Sequence, residues 1–199
     1  MDARDEVVVV FGGSSGIGEA VARTMTARGS QVVIVGRDPG RLAAAAGRIH
    51  GNVRTAAADA GDRGAVDAFF AGLGRQVDHL VLSFSTGRAG GPFRDLPMAD
   101  LAAAVRGKLV AYLSVLQASL GCLRPGGSVT FIGAGSAEAA LPGTAGLAAV
   151  NGGLHAAVRP LAVELAPPRP PRRPAGPARR TTSPPWWRCW STATTSPAR

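Results

Sequence analysis

Cysteine is nearly absent. The chain has two, Cys122 and Cys189, with no metal-ligand spacing around either. This excludes a framework of disulfides and a cysteine-based metal site, so no metal is expected, and it fits a reducing compartment. No apolar run approaches the roughly 20 residues that a membrane helix needs. The start, Met1 to Glu6, is charged and unlike a secretory signal, so a cytoplasmic protein with no membrane partner is expected. The chain also holds a single lysine, Lys108, and a single tyrosine, Tyr112. Chemistry that needs either side chain has one position to draw on.

Acidic residues are missing from one region altogether. From Pro167 onward there are seven arginines and no acid, together with nine of the fifteen prolines and all three tryptophans. The net charge of +9 is therefore mostly a property of this tail, because fifteen basic residues face thirteen acidic ones before it. A body that is close to neutral gives no electrostatic footprint for nucleic acid. In the tail, arginines and stacking tryptophans lack any repeat or known module, so nucleic acid is not expected as a partner. Composition changes abruptly after Ala166. The expectation is one domain over 1–166 and a disordered Pro/Arg-rich tail over 167–199. A change of reading frame at that point is a second explanation of the tail.

What is present is organised around Val7 to Gly18, V-V-V-V-F-G-G-S-S-G-I-G. Four valines and Phe11 read as a strand buried on both faces, followed at once by Gly12, Gly13, Gly16 and Gly18. Ile17, Ala20, Val21 and Met25 then take helical spacing, which starts a helix near Ser15 or Gly16. Helix amides pointing back at a turn without Cβ atoms make a seat for a phosphate or pyrophosphate. The plainer reading is a tight structural connection.

Strands and helices continue to alternate. Gln31 to Val35 reads as a second strand, Pro39 to Ile49 as a helix, Asn52 to Ala58 as a third strand and Asp62 through Phe70 as a helix capped by Asp62. Asp78 to Ser83 is a fourth strand, with a glycine-rich loop over Ser85 to Pro92. A long helix over Leu96 to Leu120 is interrupted only by Gly107. Cys122 to Gly127 turns the chain into a fifth strand, Ser128 to Ile132, and a last helix covers Leu147 to Leu165. This order predicts an α/β fold, a Rossmann-type doubly wound parallel sheet, with the ligand crevice at the strand carboxyl ends. The sheet is expected to be incomplete at its C-terminal edge, because P-R-P-P-R-R-P after Pro167 cannot form a central strand.

At the end of the second strand, Gly36 and Arg37 stand where an adenosine ribose would lie. An arginine there suits a 2′-phosphate and an acid would suit a 2′-hydroxyl, so NADP is favoured over NAD. Alternatively, Arg37 pairs with Asp38 or caps a helix.

The chain resembles the short-chain dehydrogenase/reductase family over roughly Val7 to Pro167. The resemblance rests on G-G-S-S-G-I-G at Gly12 to Gly18, A-D-A-G-D at Ala58 to Asp62, D-H-L-V at Asp78 to Val81 and L-A-V-E-L-A-P at Leu161 to Pro167. It implies an NADP(H)-dependent oxidoreductase acting on a small carbonyl or alcohol. Gly12, Ser14, Ser15, Gly16, Ile17 and Gly18 would line the pyrophosphate, Arg37 the 2′-phosphate, Asp59 and Ala60 the adenine, and Ser83 the segment beside the nicotinamide. A homodimer through the two long helices is also implied.

The family's catalytic serine and Tyr-x-x-x-Lys do not carry over. Leu147 and Asn151 take the tyrosine and lysine positions, and Gly133 or Ala134 the serine position. Lys108 falls where the family has an asparagine, so Lys108 and Asn151 are expected to have exchanged places and to face each other across the crevice. Tyr112, His155 and Ser136 are further candidates for donating a proton. A protein that holds the dinucleotide, or a partner, without turnover is the alternative.

Overall fold

A computed structural model describes residues 6–85 and 89–166. The tail over 167–199, with Cys189 and the tryptophans, lies outside the described residues, as does part of the glycine-rich loop over 85–92. Five parallel strands form one sheet: β1 (Val7–Phe11), β2 (Gln31–Gly36), β3 (Val53–Ala57), β4 (Val77–Leu82) and β5 (Leu123–Phe131). Their order is β3-β2-β1-β4-β5, so the order reverses between β1 and β4. Among the described residues, α1 (Gly16–Ala27), α2 (Pro39–Arg48), α3 (Arg63–Leu73), α4 (Met98–Ala104) and α5 (Ala111–Ser119) lie between the strands, and α6 (Ala145–Glu164) follows the last of them.

All five residues of β1 are buried. The pleat sends Val9 and Phe11 to one face, against Val66 and Phe70 of α3, Val115 of α5 and Leu154 of α6. It sends Val8 and Val10 to the other, against Ala22 of α1 and Leu42 and Ala45 of α2. Each fully buried valine contributes about 1.5–3 kcal/mol of hydrophobic stabilisation. That is why this run can only be a central strand. β3, at one edge, is half-buried at Val53 and Ala56 and exposed at its other residues.

Local chemistry sets the helix starts. Asp38 accepts the Arg41 amide at 3.0 Å and caps α2, with Pro39 in its first turn. Asp62 caps α3 through the amides of Gly64 and Ala65. Glu19, buried on α1, accepts both Arg48 Nε and Nη2 from the end of α2, at 3.0 and 2.8 Å, and Arg23 Nη2 at 2.8 Å.

Three expectations need correction. The long helix begins at Met98, because Leu96 precedes Pro97 and is held out of the helical region, and it opens into a π-helical segment over Val105–Val110. The last helix starts at Ala145, earlier than expected. Cys122 to Gly127 is not simply a turn. β5 starts at Leu123, and the extra residues around Pro125 and Gly126 are absorbed as an irregularity opposite Val77 and His79. A Cβ on Gly127 would lie 2.6 Å from the Asp78 carbonyl oxygen, so only glycine lets the strands close after it.

Asp78 itself ties three strands together. Its Oδ2 accepts the Val7 amide at 2.9 Å and its Oδ1 pairs with Arg124 Nε at 3.0 Å. Asp78→Ala is expected to cost about 2–4 kcal/mol in urea unfolding. A loss below about 0.5 kcal/mol would show that the staple is redundant.

Among the described residues no strand pairs with the outer side of β5. An apolar groove lined by Leu116, Leu120, Val129, Phe131 and Leu161 lies beside it.

Candidate dinucleotide and substrate site

The glycine turn brings backbone segments together more closely than side chains allow. Gly12 has φ +82, and a Cβ there would sit 2.3 Å from the carbonyl oxygen of Ser83 at the end of β4. A Cβ on Gly18 would sit 2.3 Å from the carbonyl oxygen of Gly12. Gly16 has φ +58 and nothing of the protein within 4 Å of that position, which leaves open space over the start of α1. Ser15, the N-cap residue of α1, makes no side-chain cap bond. The first helix amides and an uncapped helix end therefore face an open concavity without Cβ atoms, which fits a pyrophosphate. Ser14 is half-buried beside it, and Ile17 is exposed on the first turn of α1.

Next to this cradle is a cleft of about 260 Å³ walled by Gly12, Gly36, Arg37, Asp59, Ala60 and Phe84. Arg37 is exposed. Asp59 accepts the Gly61 amide at 2.9 Å and so shapes its own loop. Ser83 donates its amide to Phe11 at 2.9 Å and continues the sheet ladder to the crevice. The sequence reading missed Arg41. Its Nη2 lies 3.4 Å from Ser15 Oγ, one side chain spanning α2 and the cradle. The signal was there: Arg37 and Arg41 flank the Asp38-Pro39 cap four residues apart, so the cap places both cations at one end of α2.

Lys108 and Asn151 meet between the π-helical segment and α6. Lys108 Nζ donates to Asn151 Oδ1 at 2.8 Å, with both residues buried. The π-helical segment carries Lys108 inward, and Gly153 leaves room for Leu109 against α6. The ammonium lies 5.8 Å from the centre of the Tyr112 ring. Burial pushes its pKa below the usual lysine value. Asn151 Nδ2 donates to the Leu147 carbonyl at 2.9 Å and to Ser136 Oγ at 3.2 Å. Leu147 itself brings only hydrocarbon to this place.

The other candidates fall elsewhere. His155 pairs with Glu138 at 3.3 Å on the exposed side of α6. Tyr112 is fully buried, its hydroxyl 3.0 Å from the Phe84 carbonyl oxygen and 3.2 Å from that of Ile132. It clamps the loops after β4 and β5, and burial raises its pKa to about 12. Because this is the chain's sole tyrosine, the prediction can be read directly. Phenolate absorbance should rise near pH 12 in the folded protein and near 10 once unfolded. The folded state holds its proton longer, so the contribution of Tyr112 to stability is constant below about pH 10 and falls as pH climbs toward 12. Titration at 10 in the folded state would contradict the clamp. Among the described residues, no group of three or more His, Cys, Asp or Glu side chains could hold a metal ion. Nor is any helix among them long and apolar enough to cross a membrane.

Comparison with known proteins agrees with this fold. The family model described as enoyl-(acyl carrier protein) reductase matches residues 12–169. A solved short-chain dehydrogenase/reductase family protein superposes with a TM-score of 0.76 at 30% identity, over 83% of this chain and 70% of that one. An uncharacterized oxidoreductase of Staphylococcus saprophyticus is 48% identical over 52 residues, 26% of this chain and 22% of its own length. A 3-oxoacyl-[acyl-carrier-protein] reductase of Bos taurus is 52% identical over 48 residues, 24% of this chain and 20% of its own. The matched stretch thus spans about a fifth of these two relatives. A parallel sheet whose strand order reverses beside the glycine turn, matched by the family model over residues 12–169 and by a solved family structure over 83% of the chain, identifies the chain as a member of the short-chain dehydrogenase/reductase family.

Proposed function

We propose that this chain binds NADP(H) in the crevice and works as a slow oxidoreductase on a small carbonyl or alcohol. The observation that carries the reading is the cradle of Gly12, Gly16 and Gly18 with Ser15, Arg37 and Arg41 beside it. Ser14, Ser15, Ile17 and the first amides of α1 hold the pyrophosphate. Arg37 and Arg41 hold the 2′-phosphate, and Asp59 and Ala60 flank the adenine. Lys108 offers its remaining N–H donors to the nicotinamide ribose, with Asn151 fixing its position, and Ser83 lies on the nicotinamide side. The dinucleotide, when bound, supplies or accepts the hydride.

The proton is the weak point. Leu147 stands at the position where the family has its tyrosine and has nothing to exchange, so water is the proton source. Absence of a positioned acid costs typically about 10²- to 10⁴-fold in rate. The chain is read as cytoplasmic, with residues 1–166 as the dinucleotide-binding domain and a homodimer as its assembly.

Leu147 also favours a second reading, a protein that holds the dinucleotide without turnover. Purified protein incubated with NADPH and a panel of aldehydes, ketones and acyl thioesters separates the two, thioesters being included because of the names of the family model and the bovine relative. Slow loss of nicotinamide absorbance is expected. Tight NADPH binding with no turnover across the panel would favour the second reading, and no binding would overturn both.

A further inference from the structure

We propose that Ser128, His79 and Glu6 form a second site, one that hydrolyses carboxylic esters, toward the amino ends of the strands and away from the crevice at their carboxyl ends. The parallel register sets the three in a row on one face of the sheet. Val8 pairs with His79 and His79 with Ser128, and Glu6, two residues before Val8, falls on the same side of the pleat. Ser128 Oγ lies 2.8 Å from His79 Nδ1, and His79 Nε2 lies 3.7 Å from Glu6 Oε2. The fully buried Ser30 places its hydroxyl 3.5 Å from the same carboxylate oxygen and steadies it. Ser128 is exposed, and His79 and Glu6 are half-buried.

Proton positions follow from the partners. An ionised carboxylate only accepts, so the neutral ring carries its hydrogen on Nε2, toward Glu6, and leaves Nδ1 to accept the Ser128 hydroxyl. A serine oxygen is made nucleophilic by such a base when a carboxylate orients it. The Val129 amide is the donor for the developing oxyanion. Ile132 donates to the Leu82 carbonyl at 2.9 Å, so the amides of Ser128 and Thr130 also face β4, and that of Val129 faces the open edge of β5, where among the described residues it meets no acceptor. Gly127 and Val129, on either side of Ser128, line the apolar groove along this edge, whose one charged side chain, Arg124, is paired with Asp78. An uncharged ester with an apolar acyl chain suits it. Ser128 Oγ bonds to the ester carbonyl carbon as its proton passes to His79 Nδ1. The bond to the leaving oxygen then breaks, its electron pair goes to that oxygen, and the proton on Nδ1 follows, which leaves an acyl-Ser128 and an alcohol. Water bonds to the acyl carbon while its proton passes to Nδ1, and Ser128 Oγ leaves and takes that proton, so ester and water become acid and alcohol. Ser128 and His79 are the catalytic residues. Glu6 is a positioning residue, facing the second N–H of the imidazolium formed between the steps.

Full-length protein without dinucleotide is tested on p-nitrophenyl butanoate. Release of p-nitrophenolate with an initial burst is expected, and peptide mapping after an acid quench should find the butanoyl group on Ser128. Ser128→Ala should abolish the burst and lower kcat/KM by about 10²-fold, and His79→Gln should do the same. The double variant should lose no more than the worse single one. Glu6→Gln should lower kcat by about tenfold with KM unchanged, a split that a merely structural carboxylate would not give. NADPH affinity should stay within about twofold in all of them, because the crevice lies at the other ends of the strands. If His79→Gln does not fold, the exposed Ser128→Ala and the peptide map decide the question. Three results overturn the proposal: no release above the buffer rate, equal turnover by the parent and Ser128→Ala, or an acyl group mapped to any other residue. Loss in His79→Gln alone would mean that the ring acts without the serine, and it overturns the proposal too. None of these outcomes bears on the hydride reading, which rests on the crevice.

Discussion

Gly12→Ala is expected to lose more than about 3 kcal/mol of stability and all measurable NADPH binding. The new methyl would lie 2.3 Å from the Ser83 carbonyl oxygen and 2.7 Å from its carbon, on a residue with φ +82. Backbone on both sides of the contact cannot rotate away, so the ends of β1 and β4 must part, and these ends floor the crevice. Gly16→Ala is the control. Its methyl meets nothing of the protein within 4 Å, so folding bears only the roughly 1–2 kcal/mol cost of a left-handed alanine. NADPH affinity should nevertheless fall by about tenfold or more, because the methyl enters the space over the helix amides. Urea unfolding and fluorescence titration of the two proteins check this together. Equal affinity in Gly16→Ala and the parent would mean that the phosphate sits elsewhere.

Reversing charge at the end of α2 should change which dinucleotide is held. The double variant Arg37→Glu and Arg41→Glu is expected to weaken NADPH by about 10²-fold while NADH changes by no more than about threefold. The figure follows from two charge-assisted contacts to one phosphate, reduced because both arginines are exposed to solvent. The effect on NADPH should shrink as salt rises. Isothermal titration with both dinucleotides at two salt concentrations measures it. Equal weakening of both would place these arginines on a part common to the two molecules.

The sequence disclosed most of the framework because its signals are local. The valines of β1 admit only a central strand, and the glycines after Phe11 admit only a turn into α1. The alternation of strands and helices then leaves few topologies. Features that depend on pairing across the fold were not legible. Whether Pro125 and Gly126 turn the chain or sit within a strand depends on Asp78 and on where β4 begins, far away in sequence. The π-helical opening around Gly107 depends on what Lys108 can reach inward, and periodicity carries no such information. At the site, the sequence placed Lys108 opposite Asn151 but not the direction of the hydrogen bonds. Direction depends on the third and fourth members, Leu147 O and Ser136, and on the burial of the pair.

The carboxylate of Glu19 gives the nucleotide site its calibre. Cradle and arginines belong to different helices, and the fork from Arg48 pins those helices together about two turns from the end that carries Arg41. The two helices then act as the arms of a caliper, whose jaw opening is the span between the glycine turn and the arginines at the start of α2. Arg48 first, and then Arg23, hold the Glu19 carboxyl below its ordinary value of 4.5. The contribution of the pin is complete above that ordinary value and is lost only as pH falls through the lower, folded one. Discrimination between the two dinucleotides is therefore expected to be insensitive to pH above 4.5 and to blur only below it, when the arms come unpinned.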